Sequence, residues 1–585
     1  MRRSVVLLLI VAFVAAFAVA PFLLRDFYVS LLNLIGIYAL VVLGLGMLVG
    51  WTGLMSFGHA AFFGIGAYAT AWLTTAQAGS PLVGLLLGLM VAGLVAVVLG
   101  GISLRLSGHY LSLATLAWGM GLFLLFGNLH MLGRQNGISG IPYVGALGFE
   151  FDTVRKLYWL IWGVVGLALL AAVNLTWSRQ GRGARILKGG VVLGECFGIN
   201  SFAVRLKVFV IGALLAAVAG WLYAHTYRFV SPAPFGLMNS VEFLLMAVVG
   251  GTTSVLGSVI GSNAMVFLRD LVQDILPLFT SFGATLEGIA FGLIFILLLQ
   301  NASSGISDYL PTLRRTPPNK DRRTLMRREL PQRGTEILRV EGLEKRFGGL
   351  LAVDNVGFTV AAGEIVGLIG PNGAGKSTTF NLVSGLLEPT QGSIFLLGKN
   401  VTGLTPRKLF RQGVARTFQH VRLNPTMTVL ENTMVGVYAR TRAGFVRGAL
   451  RLERQEDESA AEEAMYHLTK VGLGDKAMEP AGNLSLGQQR VLEVARALGA
   501  DPLLLMLDEP AAGLRHREKV VLAELLGELR SDGVSILLVE HDMGFMLGLA
   551  DRIVVLNFGT KLAEGRPREI RENPAVIEAY MGAGE

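Results

Sequence analysis

The chain has 585 residues, of which 52% are hydrophobic and only 16% are charged. A composition this apolar excludes an ordinary soluble enzyme as the whole molecule, because the apolar residues are concentrated in the first half. The formal net charge of +9 does not indicate nucleic-acid binding, since the excess Lys and Arg lies beside apolar segments rather than on one soluble face. The single cysteine, Cys196, excludes an intrachain disulfide, so we expect a small buried side chain there.

Apolar segments long enough to cross a bilayer, about 20 residues each, fill the first half of the chain. They are residues 5–24, 28–50, 57–75, 81–104, 110–133, 157–176, 207–227, 240–268 and 285–300. The first segment resembles a secretory signal, but it is long enough to span and Pro21 occupies the cleavage position, so we expect a retained helix. Dividing 240–268 at Gly250 and Gly251 gives an all-α polytopic membrane domain of about ten spans over residues 1–311.

Lys and Arg gather in two polar stretches, the loop 177–207 and the Pro-containing linker 312–335. Positively charged loops stay on the cytoplasmic side of a membrane, so we expect both stretches there. An N-terminus on the cytoplasmic side agrees with this orientation. If segment 57–75 were re-entrant rather than spanning, the number of membrane crossings would change and this agreement would be lost. The linker has no apolar periodicity and is expected to lie as a tether on anionic lipid head groups.

Residues 336–585 have the composition of a globular domain with short strands and amphipathic helices. The pattern G-x-x-x-x-G-K-S runs from Gly370 to Ser377, between an apolar strand (EIVGLIG) and a helix (KSTTFNLVSGL). Glycines let backbone N–H groups curl around phosphates, Lys376 supplies a positive charge for the β- and γ-phosphates, and the Ser377 hydroxyl binds Mg²⁺. The pattern therefore predicts a nucleotide-binding P-loop.

Two acids follow a second apolar strand, in the stretch LLLMLDEP at residues 503–510. Asp508 is expected in the Mg²⁺ shell, and Glu509 is expected to act as the general base that polarises the attacking water. An acid pair in the turn before a helix is the alternative interpretation. The stretches ARTFQ (415–419), LSLGQQR (484–490) and LLVEHD (537–542) complete the order P-loop, Gln, signature, Asp-Glu and His.

This ordered series resembles the ATP-binding-cassette (ABC) ATPase family across residues 336–585. The resemblance implies an α/β P-loop domain that uses ATP and Mg²⁺, with adenine stacked on an aromatic residue and a signature that caps ATP held by a different cassette. The implied catalytic residues are Glu509, His541 and Gln419, with His541 sensing the γ-phosphate. The implied metal-binding residues are Ser377, Gln419 and Asp508. The implied nucleotide-binding residues are Phe347 (under adenine), Gly370, Asn372, Gly373, Gly375, Lys376, Ser377, Thr378, and the signature residues Ser485, Gly487 and Gln488.

Three stretches of the membrane half resemble, in the same order, the permeases of the branched-chain amino acid ABC importer family. They are WTGLMSFGHAAFFGIGAY (51–68), RLSGHYLSLATLA (105–117) and GECFGINSFAVRLKVFVIGALLAAVAGWLYA (194–224). Small residues in the first stretch, among them Gly64, predict close helix approach in lipid. The tail 559–582 resembles the ATPases of the same branch, so the chain looks like a permease fused to its ATPase. Arg515 departs from the Asp or Asn usual in the family, which leaves open whether two composite ATP sites hydrolyse equally.

The resemblance implies ATP-driven import of a small polar solute, branched-chain or related amino acids, across the cytoplasmic (inner) membrane. Import of urea or short-chain amides stays open as an alternative. An exporter is a further alternative, but exporters extend polar helices far into the cytoplasm and the loop 177–207 is too short for that. One chain has one cassette, so a second permease and ATPase subunit, or a second copy, is expected with an extracytoplasmic solute-binding protein and no nucleic acid.

The loop 177–207 is the only long cytoplasmic stretch before the linker, so we expect it to carry the mechanical contact with the ATPase near Gln419. Its cations, Arg182, Arg185 and Lys188, are expected to meet acids of the cassette as exposed ion pairs. Exposed pairs typically contribute no more than about 1 kcal/mol each. We therefore expect charge reversal at Arg185 to have a mild effect, and the apolar fit to matter more, through Ile186, Leu187 and Phe197.

Overall fold

The computed structural model describes residues 17–106, 109–146, 149–279 and 325–581, together with a few positions from 292 to 306. The chain forms two compact units. The first comprises Met1–Trp177, Phe202–Arg314 and Gly448–Arg451. The second comprises Ser178–Ser201, Arg315–Arg447 and Leu452–Glu585. The basic loop between two long helices therefore belongs to the same compact unit as the P-loop sequence.

The described residues of the first unit form helices and four very short strands. Its helices are α1 (Asp26–Thr52), α2 (His59–Ala76), α3 (Pro81–Ser103), α4 (His109–Asn128), α5 (Val154–Trp177), α8 (Ser201–Tyr227), α9 (Leu237–Gly250) and α10 (Gly257–Phe279), and α6 and α7 belong to the second unit. Strand β1 (Ile138–Ser139) pairs antiparallel with β4 (Phe229–Val230), and β2 (Gly145–Ala146) pairs antiparallel with β3 (Phe149–Glu150).

Five helices of the described part of the chain, α1, α3, α4, α5 and α8, are long and apolar enough to cross a membrane. The predicted division of segment 240–268 is confirmed, because α9 ends at Gly250, Gly251 has a φ of 99°, and α10 begins at Gly257. The predicted segment 57–75 is a single helix, α2, whose residues are mostly buried. Segments 5–24 and 285–300 lie largely outside the described residues, so the count of ten spans stays a prediction.

Small residues on α2 allow close helix packing, as the sequence predicts. A Cβ added at Gly64 would lie 2.6 Å from the Phe126 ring, so no larger residue fits there. At Gly66 the added Cβ would lie only 2.1 Å from the Ala217 carbonyl oxygen of α8. The backbones of α2 and α8 thus approach each other at a glycine, which is how membrane helices gain van der Waals contact.

The described residues of the second unit form two β-sheets. The four-stranded antiparallel sheet has the order β6-β5-β8-β9, formed by β5 (Glu336–Phe347), β6 (Leu350–Ala361), β8 (Gln391–Leu396) and β9 (Lys399–Asn400). The six-stranded sheet has the order β10-β11-β12-β7-β13-β14, formed by β7 (Ile365–Ile369), β10 (Val414–Arg416), β11 (Leu504–Asp508), β12 (Ser535–Val539), β13 (Arg552–Asn557) and β14 (Thr560–Gly565). Its pairs are parallel except β13 with β14.

Strands β7, β11 and β12 are buried at every residue. Central strands of a parallel sheet are covered on both faces, which is why they read in the sequence as continuous apolar runs rather than alternating ones. The predicted strands EIVGLIG and LLLMLDEP are thereby confirmed. Because the carboxyl ends of parallel strands meet at one edge, the P-loop after β7 and the acids after β11 lie at that same edge.

The helices of the second unit surround the parallel sheet and form a smaller cluster of their own. The loop contributes α6 (Arg179–Ile186) and α7 (Val191–Glu195). The remaining helices are α11 (Lys376–Val383), α12 (Pro406–Gln412), α13 (Val429–Gly436), α14 (Phe445–Ala449, whose last two residues belong to the first unit), α15 (Arg454–Lys470), α16 (Leu486–Leu498), α17 (His516–Ser531), α18 (Met543–Leu549), α19 (Pro567–Glu572) and α20 (Pro574–Met581). Helices α13, α15 and α16 share a second hydrophobic core, which includes Val429, Leu468 and Leu492.

Candidate nucleotide-binding site

The P-loop joins β7 to α11 through backbone conformations that favour glycine. Gly370, Gly373 and Gly375 have φ values of 153°, 82° and 90°. A Cβ on Gly370 would lie 2.2 Å from the Leu556 carbonyl oxygen, and one on Gly375 would lie 2.7 Å from the Ala352 carbonyl oxygen. The glycines therefore serve both the turn and its close approach to neighbouring strands. The loop ends at the N-terminus of α11, whose free N–H groups suit a bound anion.

Lys376 begins α11 and its side chain is largely buried. The Nζ atom donates hydrogen bonds of 2.7 Å to the Gly370 carbonyl oxygen and 2.8 Å to the Pro371 carbonyl oxygen. Burial lowers the pKa of Lys376, and the negative charge of Glu509 opposes that shift. The Lys376 ammonium group thus lies against the loop backbone, where two carbonyl oxygens accept the hydrogen bonds that phosphate oxygens would accept. Asn372 and Ser377 beside it are exposed, and Thr378 is half-buried.

Asp508 and Glu509 stand where β11 ends. Asp508 is buried, and its Oδ2 lies 3.5 Å from Nη2 of Arg416. Burial raises the pKa of Asp508, and the Arg416 charge opposes that shift. Glu509 is half-buried with a φ of 46°, which is unusual for a residue with a side chain. Such strained backbone is found at functional sites, where the surrounding structure holds it.

The three predicted catalytic residues are brought together. Gln419 Nε2 donates a 3.1 Å hydrogen bond to Glu509 Oε2. His541 Nδ1 lies 3.8 Å from the same oxygen, and its side chain is exposed. The backbone N–H of His541 donates to Glu540, a buried acid that also accepts from the Ala511 N–H. Burial raises the pKa of Glu540. The carboxylate that the sequence singles out as general base is therefore the group that Gln419 and His541 share.

The donors assigned to the metal fit Mg²⁺ in kind. Ser377, Gln419 and Asp508 offer a hydroxyl, an amide and a carboxylate oxygen, and hard divalent cations prefer oxygen ligands. Asp508 is the one buried carboxylate of the three, and its counter-charge in the structure is the Arg416 guanidinium. These residues would hold the ion, which supplies charge neutralisation for the phosphate oxygens.

Phe347 ends β5 as an exposed aromatic residue. Its side chain is 45% exposed, and Lys345 Nζ lies 5.3 Å from the ring centroid. A partly exposed aromatic ring is available for stacking on a base. The structure therefore gives Phe347 the exposure that its predicted role requires, rather than a place in the core.

The signature residues begin helix α16. The Ser485 Oγ accepts from the Gln488 N–H, and the Gln488 Oε1 accepts from the Ser485 N–H, which forms a reciprocal cap. Gly487 is buried against Glu518, since an added Cβ would lie 2.4 Å from its carboxylate. Among the described residues, no hydrogen bond joins Ser485, Gly487 or Gln488 to the P-loop. A single cassette thus presents the two motifs separately.

Arg515 precedes helix α17 with an exposed side chain. Its backbone N–H donates a 2.9 Å hydrogen bond to Glu518 Oε2, so Glu518 contacts both the signature glycine and the Arg515 backbone. The atypical residue is therefore held through its main chain near the signature glycine, and its side chain is exposed.

Two arginines of the site were not predicted from the sequence. Arg416 donates hydrogen bonds to Asn381 Oδ1 (3.0 Å) and Ser384 Oγ (2.5 Å) of the P-loop helix and its end, and lies between the Phe380 and Phe418 rings. Arg490 of α16 donates to the Phe418 and Gln419 carbonyl oxygens. Arg416 stands inside the quoted stretch ARTFQ and Arg490 at the end of LSLGQQR. Their position beside a motif was the signal that could have identified these arginines, whereas their burial cannot be read from the sequence.

The basic loop packs on the helical cluster of its unit. Arg185 Nη2 lies 2.5 Å from Glu431 Oε1, and Arg182 Nη2 lies 2.6 Å from Asp457 Oδ1. The predicted meeting of loop cations and cassette acids is confirmed for these two, and Lys188 is exposed. The expectation of exposed pairs was wrong, because α6 lies against α13 and both pairs have side chains no more than 13% exposed.

Apolar and aromatic contacts complete the packing of the loop. Ile186, Leu187 and Phe197 are buried, as is Cys196. The Phe197 ring lies 5.7 Å from the Phe410 ring and 4.6 Å from the Arg496 guanidinium.

Further contacts within the unit involve the main chain of the loop and the first residues of the loop. Asn424, in the segment that follows Gln419, donates a 2.8 Å hydrogen bond to the Arg185 carbonyl oxygen. Arg179 lies 3.7 Å over the Tyr438 ring and donates to the Tyr438 carbonyl oxygen. A loop that begins and ends beside membrane helices in sequence is thus anchored within the cassette unit, close in sequence to the predicted catalytic Gln.

Comparison with known proteins identifies three regions. Residues 27–299 match the family described as the branched-chain amino acid transport system permease component, residues 353–512 match the ABC transporter family, and residues 560–585 match the branched-chain amino acid ATP-binding cassette transporter family.

The cassette is also similar to curated proteins over nearly their whole length. It is 49% identical over 249 residues to the high-affinity branched-chain amino acid transport ATP-binding protein LivG of Salmonella typhimurium, covering 42% of this chain and 98% of that protein. It is 47% identical over 249 residues to the protein BraF of Pseudomonas aeruginosa, which bears the same description, with the same coverage. It is 39% identical to a probable LivG of Archaeoglobus fulgidus, covering 42% of this chain and 96% of that protein. The chain belongs to the branched-chain amino acid ABC transporter family, with a permease component and an ATP-binding cassette in one polypeptide.

Proposed function

We propose that this chain is the permease-and-ATPase subunit of an importer that uses ATP to carry branched-chain amino acids across the cytoplasmic (inner) membrane. One observation carries the proposal: a single chain holds both the permease match over 27–299 and a cassette 49% identical to a branched-chain amino acid transport ATPase. We take residues 1–311 as the permease domain, 312–335 as the linker and 336–585 as the cassette. Nothing in the comparisons favours urea, amides or export.

The proposed chemistry follows from the carboxylate that Gln419 and His541 share. Glu509 accepts the proton of the attacking water, and its hydrogen bond to Gln419 Nε2 orients it for that task. His541 Nδ1 lies 3.8 Å from the same carboxylate oxygen, and its exposed side chain would contact the γ-phosphate. Lys376 exchanges its two backbone partners for phosphate oxygens.

The proposed assembly contains two cassettes. Each ATP would lie between the P-loop of one cassette and the signature of another, and the described residues of one chain present these motifs without a hydrogen bond between them. A second permease and ATPase subunit, or a second copy of this chain, therefore completes each site. An extracytoplasmic solute-binding protein would deliver the amino acid.

Uptake in proteoliposomes tests the proposal. The chain is reconstituted with its solute-binding protein and partner subunit, with ATP on the cassette side. Labelled leucine, valine and urea are supplied in parallel, and the variant Glu509→Gln serves as the control without hydrolysis. ATP-dependent uptake of leucine and valine but not urea supports the proposal, whereas uptake of urea alone, or equal uptake by the control, contradicts it.

A further inference from the structure

Two ion pairs hold helix α6 of the loop to the cassette helices, and we call them the docking pairs: Arg182 with Asp457, and Arg185 with Glu431. Their charged atoms are 2.6 Å and 2.5 Å apart. Three or four residues separate neighbours on one face of a helix, so both cations project toward the cassette from successive turns of α6. The two acids come from different helices, α15 and α13, so the fold of the cluster fixes their spacing.

The acid side of the pairs is firmly placed. Glu431 is the third residue of α13, where it forms a reciprocal cap with Thr428. Burial opposes ionisation of Glu431, but Arg185 and the Thr428 N–H outweigh it and hold its pKa below the usual range. Asp457 lies in the first turn of α15, where the helix dipole favours a negative charge. Both acids therefore stand at helix starts, so the cassette's own helices fix their positions.

Burial decides what such pairs do. The Arg182 and Asp457 side chains are 5% and 13% exposed, and those of Arg185 and Glu431 are 13% and 9% exposed. Removing two charges from water offsets most of their attraction, so a buried pair adds little net affinity. Reversing one member, by contrast, leaves two like charges face to face in a dry contact, which is strongly unfavourable. Pairs of this kind reject wrong partners more than they strengthen the right one.

We propose that the docking pairs select the cassette that the loop accepts. The loop of this chain fits a cassette that presents carboxylates at the positions of Glu431 and Asp457, and the structure places its own cassette there. The inference rests on the proposed function, since a complete importer holds a second cassette that competes for the loop. Apolar contacts of Phe197 with Phe410 would supply affinity that does not discriminate by charge.

The single cysteine of the chain gives a readout of docking that does not depend on transport. Cys196 lies in the loop, only 3% exposed against the cassette. Burial raises its pKa to about 12, so the docked thiol should react slowly with N-ethylmaleimide. Displacing the loop should expose the thiol and speed its alkylation.

The experiment compares charge reversals in the full chain with a matched mismatch. Arg185→Glu and Glu431→Arg are made singly and together, and Arg185→Glu is also combined with Asp457→Arg as the mismatched control. We expect each single reversal to speed Cys196 alkylation by roughly 10-fold or more, and the matched double variant to return within about 3-fold of the original chain. The mismatched double variant should stay fast.

A second pair guards against a folding defect, since Glu431 also caps α13. Arg182→Glu and Asp457→Arg should each speed Cys196 alkylation when made singly, and the two together should restore slow alkylation. Thermal unfolding of each variant identifies any that is misfolded. Slow alkylation in the single reversals, or a matched swap as fast as its singles at both pairs, would overturn the inference. If uptake of leucine fails while the alkylation pattern holds, the proposed substrate is wrong and the selection stands.

Discussion

At the scale of single residues, the role proposed for Glu509 predicts that binding of ATP can be separated from its hydrolysis. Glu509 contacts Gln419 and lies near His541, whereas the proposed phosphate-binding residues are those of the P-loop, with Lys376. Glu509→Gln should therefore keep ATP affinity and lower hydrolysis by roughly 100-fold or more. Lys376→Ala should weaken ATP binding itself. Equilibrium binding of a fluorescent ATP analogue and steady-state phosphate release measure the two effects, and hydrolysis by Glu509→Gln at the original rate would refute the assignment.

Loss of Arg416 should destabilise the ATP site, because this buried residue supports the groups around it. It is 5% exposed, hydrogen-bonds Asn381 and Ser384, and its Nη2 lies 3.5 Å from Asp508 Oδ2. Arg416→Met would leave the buried Asp508 carboxylate without that charge, and breaking a buried pair typically costs about 3–5 kcal/mol. Arg416→Lys, which keeps the charge but loses the forked hydrogen bonds, should be less severe.

Differential scanning fluorimetry of the full chain, with and without ATP, measures this effect of Arg416. The matched control is Arg517→Met, because Arg517 is an exposed arginine on α17. The melting transition that ATP shifts should move to a lower temperature in Arg416→Met and stay unchanged in the control. Equal melting curves for both variants would show that Arg416 is not a support of the site.

At the scale of elements, the sequence predicts those whose signal is local. The strand–loop–helix of the P-loop, the apolar strand before Asp508 and the break at Gly250 each leave a continuous pattern of a few residues. The packing of the loop is different, since Arg185 and Glu431 are 246 positions apart in the chain. No periodicity reveals that such a pair is buried, and for that reason the exposure of the loop cations was predicted wrongly.

The apolar part of the loop should couple ATP hydrolysis to transport. Leu187 and Phe197 are each 1% exposed, so replacing both with Asp puts two charges into a dry contact. We expect ATP hydrolysis to continue without stimulation by substrate, while uptake stops. The matched control is Val191→Asp with Val192→Asp, because these loop valines of α7 are about 40% exposed. Uptake and ATPase activity measured side by side in proteoliposomes distinguish the two variants.

Normal uptake by the Leu187/Phe197 variant would place the coupling contact elsewhere. The burial of the docking pairs also changes the expectation for Arg185. Its charge reversal should now be nearly as harmful as the apolar double variant, because the charge has no solvent to move into. A mild effect of Arg185→Glu on uptake would instead support the expectation from the sequence, in which the loop cations form weak, exposed ion pairs.

At the scale of the whole molecule, the separation of P-loop and signature predicts association driven by ATP. Ser485 is exposed at the start of α16, and Gln488 is half-buried beside it, so both are available to a second cassette. Residues 336–585 with Glu509→Gln should be monomeric without nucleotide and should dimerise with ATP, since each bound ATP is capped by the neighbour's signature. Light scattering reports the mass, and Glu509→Gln with Lys376→Ala is the control that cannot hold ATP tightly.

Arg515 makes that association a test of what the partner is. Its side chain is exposed and its backbone shares Glu518 with the signature glycine, so two identical cassettes related by a two-fold axis would bring two such charges toward the interface between them, which we call the seam. Like charges at a closing interface oppose it, and Arg515→Asp, the usual family residue, should therefore strengthen the ATP-dependent dimer. If the Arg515→Asp fragment dimerises at a concentration where the original stays monomeric, repulsion at the seam favours a partner cassette of different sequence. If neither form associates at any concentration with ATP, self-pairing is excluded and a distinct cassette must complete the site. Equal dimerisation of both forms would mean that Arg515 finds a partner across the seam and that a homodimer is compatible with this chain.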